Sequence, residues 1–193
     1  MPDLPILLVA VVVIALIFDF TNGAHDSANA IATIVSTKVL SPLTAVLMAG
    51  VLNLFGAFLG TSVAHTIGSG IIRPELVTGS QCLVLAALLG AIFWNLLTWY
   101  LGLPSSSSHA LIGGLIGSGI AFGGWSAPSY DSILSKVIIP LFLSPVAGFA
   151  SGYLLMVLLS WMVMRASPGR VNFLFKKLQI LSSAFMATSH GLN

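Results

Sequence analysis

Asp19-Phe20-Thr21-Asn22-Gly23-Ala24-His25-Asp26-Ser27-Ala28-Asn29 is the stretch on which the fold turns. It sets two carboxylates, an imidazole and two carboxamides directly behind an apolar run, Leu4 to Phe18. That run is too short to cross a bilayer alone, because about 20 residues are needed. Ionisable groups at membrane depth are costly and mark sites for ions or polar substrates. The simplest reading is a first helix broken near residues 19–25, unwound around Gly23, with the polar break inside the membrane.

Composition agrees. The chain is 57% hydrophobic and 6% charged, with a mean hydropathy of +1.05, whereas soluble domains carry about 25% charged residues. This predicts an all-α integral membrane protein. A β-barrel would alternate apolar and polar residues, and this chain does not. A net charge of +2 gives no reason to expect nucleic acid as a partner. The single Cys82 cannot form an internal disulfide. The N-terminus lacks the basic region of a signal peptide and no small-residue cleavage site precedes the polar stretch, so the first segment is read as retained.

Five hydrophobic segments are expected at about 4–36, 42–64, 78–102, 109–124 and 137–164, and a sixth begins at Leu178. The implied organisation is a first transmembrane repeat over 1–164, a basic cytoplasmic linker over 165–177, and the start of a second repeat over 178–193. With the N-terminus outside, Lys38, Arg165, Arg170, Lys176 and Lys177 fall on the cytoplasmic side, and only Arg73 and Lys136 fall outside. An odd number of spans makes whatever begins at Leu178 enter from the opposite side, so a repeat there is inverted. Ser189-His-Gly-Leu-Asn193 echoes Thr21-Asn-Gly-Ala-His25, with His, Asn and a small hydroxyl residue after an apolar run.

Asn22, Asp26, Asn29 and Thr33 follow helical i, i+4, i+7, i+11 spacing and form one polar stripe. Carboxylate and carboxamide oxygens beside unwound carbonyls suit a small hard cation. Buried polar residues can also serve only to hydrogen-bond neighbouring helices, which fits Asn29 and Thr33. Two aspartates fit that poorly, since each desolvated carboxylate needs a counter-charge or a proton. His25 is open between a proton relay near neutral pH and a packed, hydrogen-bonded imidazole.

Pro104-Ser105-Ser106-Ser107-Ser108-His109 precedes a Gly-rich helix, Ala110 to Gly124. Proline ends the previous span. Serine hydroxyls, free N–H groups and the positive end of the helix dipole then meet at one point. That makes an oxyanion site with no cationic side chain, able to release what it binds. Plain capping needs one serine, and four exceed it. Gly113, Gly114, Gly117 and Gly119 form a small-residue pattern that close helix packing explains. Asn53, His65, Gln81 and Asn95 read as interhelical hydrogen-bond formers, and Trp94, Trp99 and Tyr100 as interfacial anchors.

These residues resemble a known family. Asn22-Gly-Ala-His-Asp-Ser-Ala-Asn-Ala-Ile-Ala-Thr33 resembles the first signature of the inorganic phosphate transporter (PiT) family. Trp94-Asn-Leu-Leu-Thr-Trp-Tyr-Leu-Gly-Leu-Pro-Ser-Ser-Ser-Ser-His-Ala-Leu-Ile-Gly-Gly114 resembles its serine-rich segment, and Ser189-His-Gly-Leu-Asn193 the opening of its second signature. The resemblance implies secondary symport of inorganic phosphate with H⁺ or Na⁺ by an inverted-repeat fold in the cytoplasmic membrane. It implies neither an enzyme nor a bound cofactor or resident metal. Carried over by position, Asn22, Asn29 and Ser105, Ser106, Ser107 and Ser108 would bind phosphate, and Asp19, Asn22 and Asp26 the coupling ion. His25 and His109, with His190 and Asn193 from the second half, are further candidates. A histidine at position 25 resembles the bacterial branch that is proton-coupled and takes phosphate with a divalent metal. The chain covers about half of the family pattern, so it is expected to be a fragment or split-gene product. Its missing half would lie in the same or a partner chain, or be replaced by a homodimer.

Two other classes share part of this pattern. An anion channel with a re-entrant serine-rich filter would pass current without gradient coupling. An intramembrane protease would need serine and base within hydrogen-bond reach. Ser108 and His109 are adjacent, so on a helix they do not face each other.

Overall fold

The computed structural model describes residues 4–59, 70–73 and 81–192. Their regular structure is helical: α1 Leu4–Ser36, α2 Pro42–Leu59, α3 Gln81–Tyr100, α4 Ser107–Gly123, α5 Tyr130–Ile133, α6 Ile139–Val163 and α7 Pro168–Gly191. A 3₁₀ turn, Gly124–Ser126, follows α4, and a π-turn, Leu134–Ile138, joins α5 to α6. The π-turn has a local cause. Pro140 has no N–H to give to Lys136 and its ring would crowd that carbonyl. The chain widens instead, and Ile139 N–H donates to Leu134 O.

Among the described residues four helices are long and apolar enough to cross a membrane: Ile6–Ser36, Pro42–Leu59, Gln81–Tyr100 and Tyr130–Val163. The all-helical membrane class holds, and these four helices fall on four of the five expected segments. The remaining segment, 109–124, forms α4, whose 17 residues are at the short end of the roughly 17–25 that cross a bilayer. Tyr130–Val163 buries none of its apolar window. Water would not tolerate that surface, whereas lipid tails solvate it.

The broken first helix is corrected. α1 runs without interruption through the polar stretch. No proline falls within residues 19–29, one glycine costs a helix only about 1 kcal/mol, and Thr21 satisfies its hydroxyl locally by donating to Phe18 O at 2.8 Å. The expected linker is also partly helical. Pro168, pre-organised for a first helical turn, opens α7, so residues 168–177 continue straight into the stretch that follows.

α1 ends where no glycine marks an end. Lys38 takes φ 56°, while Lys38 N–H donates to Val35 O and Val39 N–H to Ile34 O, each at 3.0 Å. This is a Schellman closure on a residue with a Cβ. Lys38→Gly is therefore expected to stabilise the protein by roughly 0.5–1 kcal/mol, which thermal unfolding in detergent would read as a raised midpoint.

The chain divides into two compact units: Met1–Ala28 with Thr61–Tyr130, and Asn29–Gly60 with Asp131–Asn193. In the first, Phe18 is buried with Leu88 and Ala91, flanked by Val11, Ile14, Ala15 and Val84. There α4 lies so close to α3 that a Cβ on Gly114 would strike the Ala87 backbone. In the second, α2 and α7 meet through two glycines, Gly56 against the Thr188 carbonyl and Gly191 against the Asn53 carbonyl. Ala30, Ala49 and Ala187 bury beside them, and Thr37 Oγ1 donates to Gln179 Oε1 at 3.1 Å. Small residues let helices approach where lipid offers no hydrophobic drive for association. Of the four α4 glycines expected to pack, Gly114 and Gly119 do, the latter against Ile72. A Cβ on Gly113 or Gly117 would meet nothing within 4 Å among the described residues.

Candidate functional site

The continuous α1 changes how its polar residues relate. At 100° per residue, Asp19, Asn22, Asp26, Asn29 and Thr33 fall within a stripe about 80° wide. Asp19 and Asp26, seven residues apart, share that face instead of flanking a break. Asn22, His25 and Asp26 are half-buried, while Asp19, Asn29 and Thr33 are exposed. Asn22 Oδ1 and His25 Nε2 are buried atoms with no hydrogen-bond partner among the described residues. An unpaired buried acceptor costs about 1–3 kcal/mol, and a site awaiting a ligand accounts for such a cost.

The serine segment forms the start of α4. Ser106 is the N-cap, in extended conformation at φ −113° and ψ 117°. Its Oγ accepts from His109 N–H at 3.4 Å and lies 2.9 Å from His109 Nδ1. Ser107, the first helical residue, is buried, Ser105 is half-buried, and Ser106, Ser108 and His109 are exposed. Only one of the four serines caps the helix through its side chain, as the excess of serines predicts. Ser105, Ser106 and His109 line a cavity of about 620 Å³, with Gly90 and Trp94 of α3 and Gly113 of α4. Trp94 thus walls this cavity in addition to facing outward. The bare Cα of Gly113 leaves the opposite wall open.

Among the described residues lining this cavity there is no lysine or arginine. The cavity offers hydroxyl and imidazole hydrogen bonds and the N–H groups of a helix first turn. That arrangement favours an oxyanion without trapping it. Ser106→Ala is expected to cost about 1 kcal/mol by removing the cap and to free the His109 ring, measurable by chemical unfolding.

The structure gathers Ser105, Ser106 and His109 around one cavity. It sets Asn22, His25 and Asp26 together on α1. His190 is half-buried on α7 in the second unit. Asn193 and His65 lie outside the described residues. Of the residues read as interhelical hydrogen-bond formers, Gln81 and Asn95 each keep one buried amide atom, Gln81 Oε1 and Asn95 Nδ2, without a partner among the described residues. A lone Asn or Gln in an apolar helix gives no sequence signal to separate paired from unpaired amide atoms.

Residues 22–171 match the phosphate transporter family. The chain is 50% identical over 187 residues to a probable low-affinity inorganic phosphate transporter of Streptomyces halstedii, covering 96% of this chain and 86% of that protein. It is 47% identical over 188 residues to a protein of the same description from Rhizobium meliloti (strain 1021), 97% of this chain and 55% of the relative. A third, from Bacillus subtilis (strain 168), is 44% identical over 193 residues, 100% of this chain and 58% of the relative. The chain thus spans little more than half the length of the latter two. A solved structure titled "The sodium-dependent phosphate transporter" superposes with a TM-score of 0.74 at 24% identity, over 96% of this chain and 55% of that one. At that identity the likeness speaks for the fold.

Proposed function

This chain belongs to the phosphate transporter family, and on that premise we propose that it forms one repeat of a secondary symporter for inorganic phosphate, driven by H⁺ or Na⁺. The observation that carries the reading is the uncharged receptor at the start of α4, where Ser105, Ser106 and His109 line one cavity. Ser107 and Ser108 add first-turn N–H groups, and Asn22 and Asn29 add carboxamides from α1. Phosphate arriving with its own charge needs donors, and these groups supply them without a fixed cation that would resist release.

The coupling cation is assigned to Asp19, Asn22 and Asp26. They share one helix face, and oxygen ligands suit a hard cation. His25, with its unpartnered Nε2, supports a proton as the coupling ion and leaves room for phosphate accompanied by a divalent metal. The second half of the site is assigned to an inverted repeat that begins in α7 with His190 and Asn193. It would be completed in the same or a partner chain, or by a second copy in a homodimer. The Rhizobium and Bacillus relatives, matched over 55% and 58% of their lengths, have room for such a repeat. The membrane is taken to be the cytoplasmic one, with the N-terminus outside.

The test is uptake of radiolabelled orthophosphate into vesicles holding the transport unit. Accumulation above equilibrium under an imposed H⁺ or Na⁺ gradient, lost when the gradient is dissipated, is the expected result. Downhill flux indifferent to both gradients would replace the symporter with an anion channel.

A further inference from the structure

Five of the chain's seven lysines and arginines gather at one end of the second unit. Arg165 lies in the turn between α6 and α7, and Arg170, Lys176 and Lys177 lie in the first half of α7. Lys38 follows the end of α1, and two contacts place it beside them. Ala30 and Ala187 bury in one cluster, and Thr37 Oγ1 donates to Gln179 Oε1 at 3.1 Å. The end of α1 thus runs antiparallel to α7, and Lys38 emerges beside the turn that holds Lys176 and Lys177. All five are exposed. Asp131 is the one acidic residue in this unit. It sits at the far end of the 34-residue stretch Tyr130–Val163, so roughly 50 Å of helix separates it from Arg165. No carboxylate of the unit neutralises the cluster.

The cluster also lies at a membrane boundary. The apolar stretch Tyr130–Val163 ends two residues before Arg165. Trp161, 73% exposed, is one turn before Arg165, where an interfacial anchor belongs. The helix α7 adds apolar side chains between the charges. At 100° per residue, Arg170 and Lys177 share one face with Phe173, Leu174 and Leu181, which are all exposed. Lys177 Nζ stands 4.4 Å from the centroid of the Phe173 ring, so the ammonium lies along apolar surface. A soluble acidic partner or a free anion would use the charges and leave Phe173, Leu174 and Leu181 in water. A lipid interface takes both, with phosphates against the cations and acyl chains against the apolar side chains.

We propose that this end of the second unit is a docking surface for anionic phospholipids. Lys38, Arg165, Arg170, Lys176 and Lys177 bind headgroup phosphates, and Phe173 and Leu174 enter the acyl boundary. Charge complementarity fixes the occupant, together with the span that delivers the cluster to the bilayer edge. The assignment rests on the membrane character of the chain and not on phosphate transport, so either can fail without the other. Each cation near an anionic lipid surface contributes about five-fold in affinity, and salt weakens the attraction by shortening the Debye length.

The full chain in neutral detergent is titrated with fluorescently labelled phosphatidylglycerol and, in parallel, with phosphatidylcholine carrying the same acyl chains and label. Phosphatidylglycerol is expected to bind at least about ten-fold more tightly at low salt. That preference is expected to collapse in about 1 M salt, where the Debye length is about 3 Å. Lys177→Gln is expected to weaken phosphatidylglycerol binding about five-fold, and glutamine at all five positions by about a hundred-fold or more. Lys136→Gln removes an exposed cation near Asp131, at the other end of the same unit, and is expected to change nothing. Should the quintuple variant fail to insert, the comparison of Lys177→Gln with Lys136→Gln decides alone. Equal affinity for the two lipids, or equal losses in those two variants, would overturn the assignment. So would displacement of phosphatidylglycerol by inorganic phosphate where chloride of the same ionic strength displaces none, which would make the cluster a site for free anions.

Discussion

Asp26→Asn is expected to abolish gradient-driven phosphate uptake while the protein still inserts at wild-type yield. The amide keeps the shape of the carboxylate and its place on α1, so folding has little to lose. What disappears is the negative charge. At about 4 Å and an effective dielectric constant near 20, one unit pair is worth about 4 kcal/mol, or roughly a thousandfold in cation affinity. Asp26 is half-buried, between the exposed Asp19 and Asn29 along the stripe, so it retains more of that attraction than a solvated carboxylate would. Asp19→Asn, on the same face two turns earlier and exposed, is expected to weaken uptake less. Radiolabelled phosphate uptake in vesicles, normalised to inserted protein, separates these outcomes. Full uptake by Asp26→Asn would remove this residue from the coupling step.

The sequence disclosed the class of fold and the two clusters of polar residues because both depend on composition and spacing. Apolar runs report spans directly, and a proline followed by four serines reports a helix start. It misled at Gly23. A glycine beside two carboxylates reads as a break, yet a single glycine does not end a helix when nothing else there competes for the backbone, and α1 runs on. Among the described residues Gly113 and Gly117 touch no other helix, and a small-residue pattern does not say which of its members will. The unpartnered atoms of Asn95 and Gln81 were illegible for a related reason. Whether a buried amide has a partner depends on what another helix brings against it, and local pattern carries no information about that. The Schellman closure at Lys38 was equally hidden, because a lysine gives no hint of a left-handed backbone.

The packing of α3 on α4 decides whether the cavity exists at all, and Gly114→Val tests it. A Cβ at Gly114 would meet Ala87 backbone atoms, the carbonyl carbon at 3.1 Å and Cα at 3.2 Å. Backbone within a helix cannot rotate aside as a side-chain tip can, so relief requires the two helices to separate. Overpacking of this kind costs about 1–3 kcal/mol and sometimes more, a large share of a total stability of roughly 5–15 kcal/mol. The cost to the site is greater than the cost to the fold. Gly90 and Trp94 on α3 face Ser105, Ser106 and His109 across this junction, and a shift of an ångström would open the cavity and misplace its donors. Gly114→Val is therefore expected to lower the unfolding midpoint by several degrees and to remove phosphate binding altogether. Gly117→Ala, three residues later and outside the cavity lining, is the matched control. A Cβ there meets nothing within 4 Å among the described residues, and alanine favours the helix by up to about 1 kcal/mol, so stability should rise and binding persist. If both variants behave alike, helix propensity and not the α3–α4 contact governs this region, and the cavity does not depend on the close approach at Gly114.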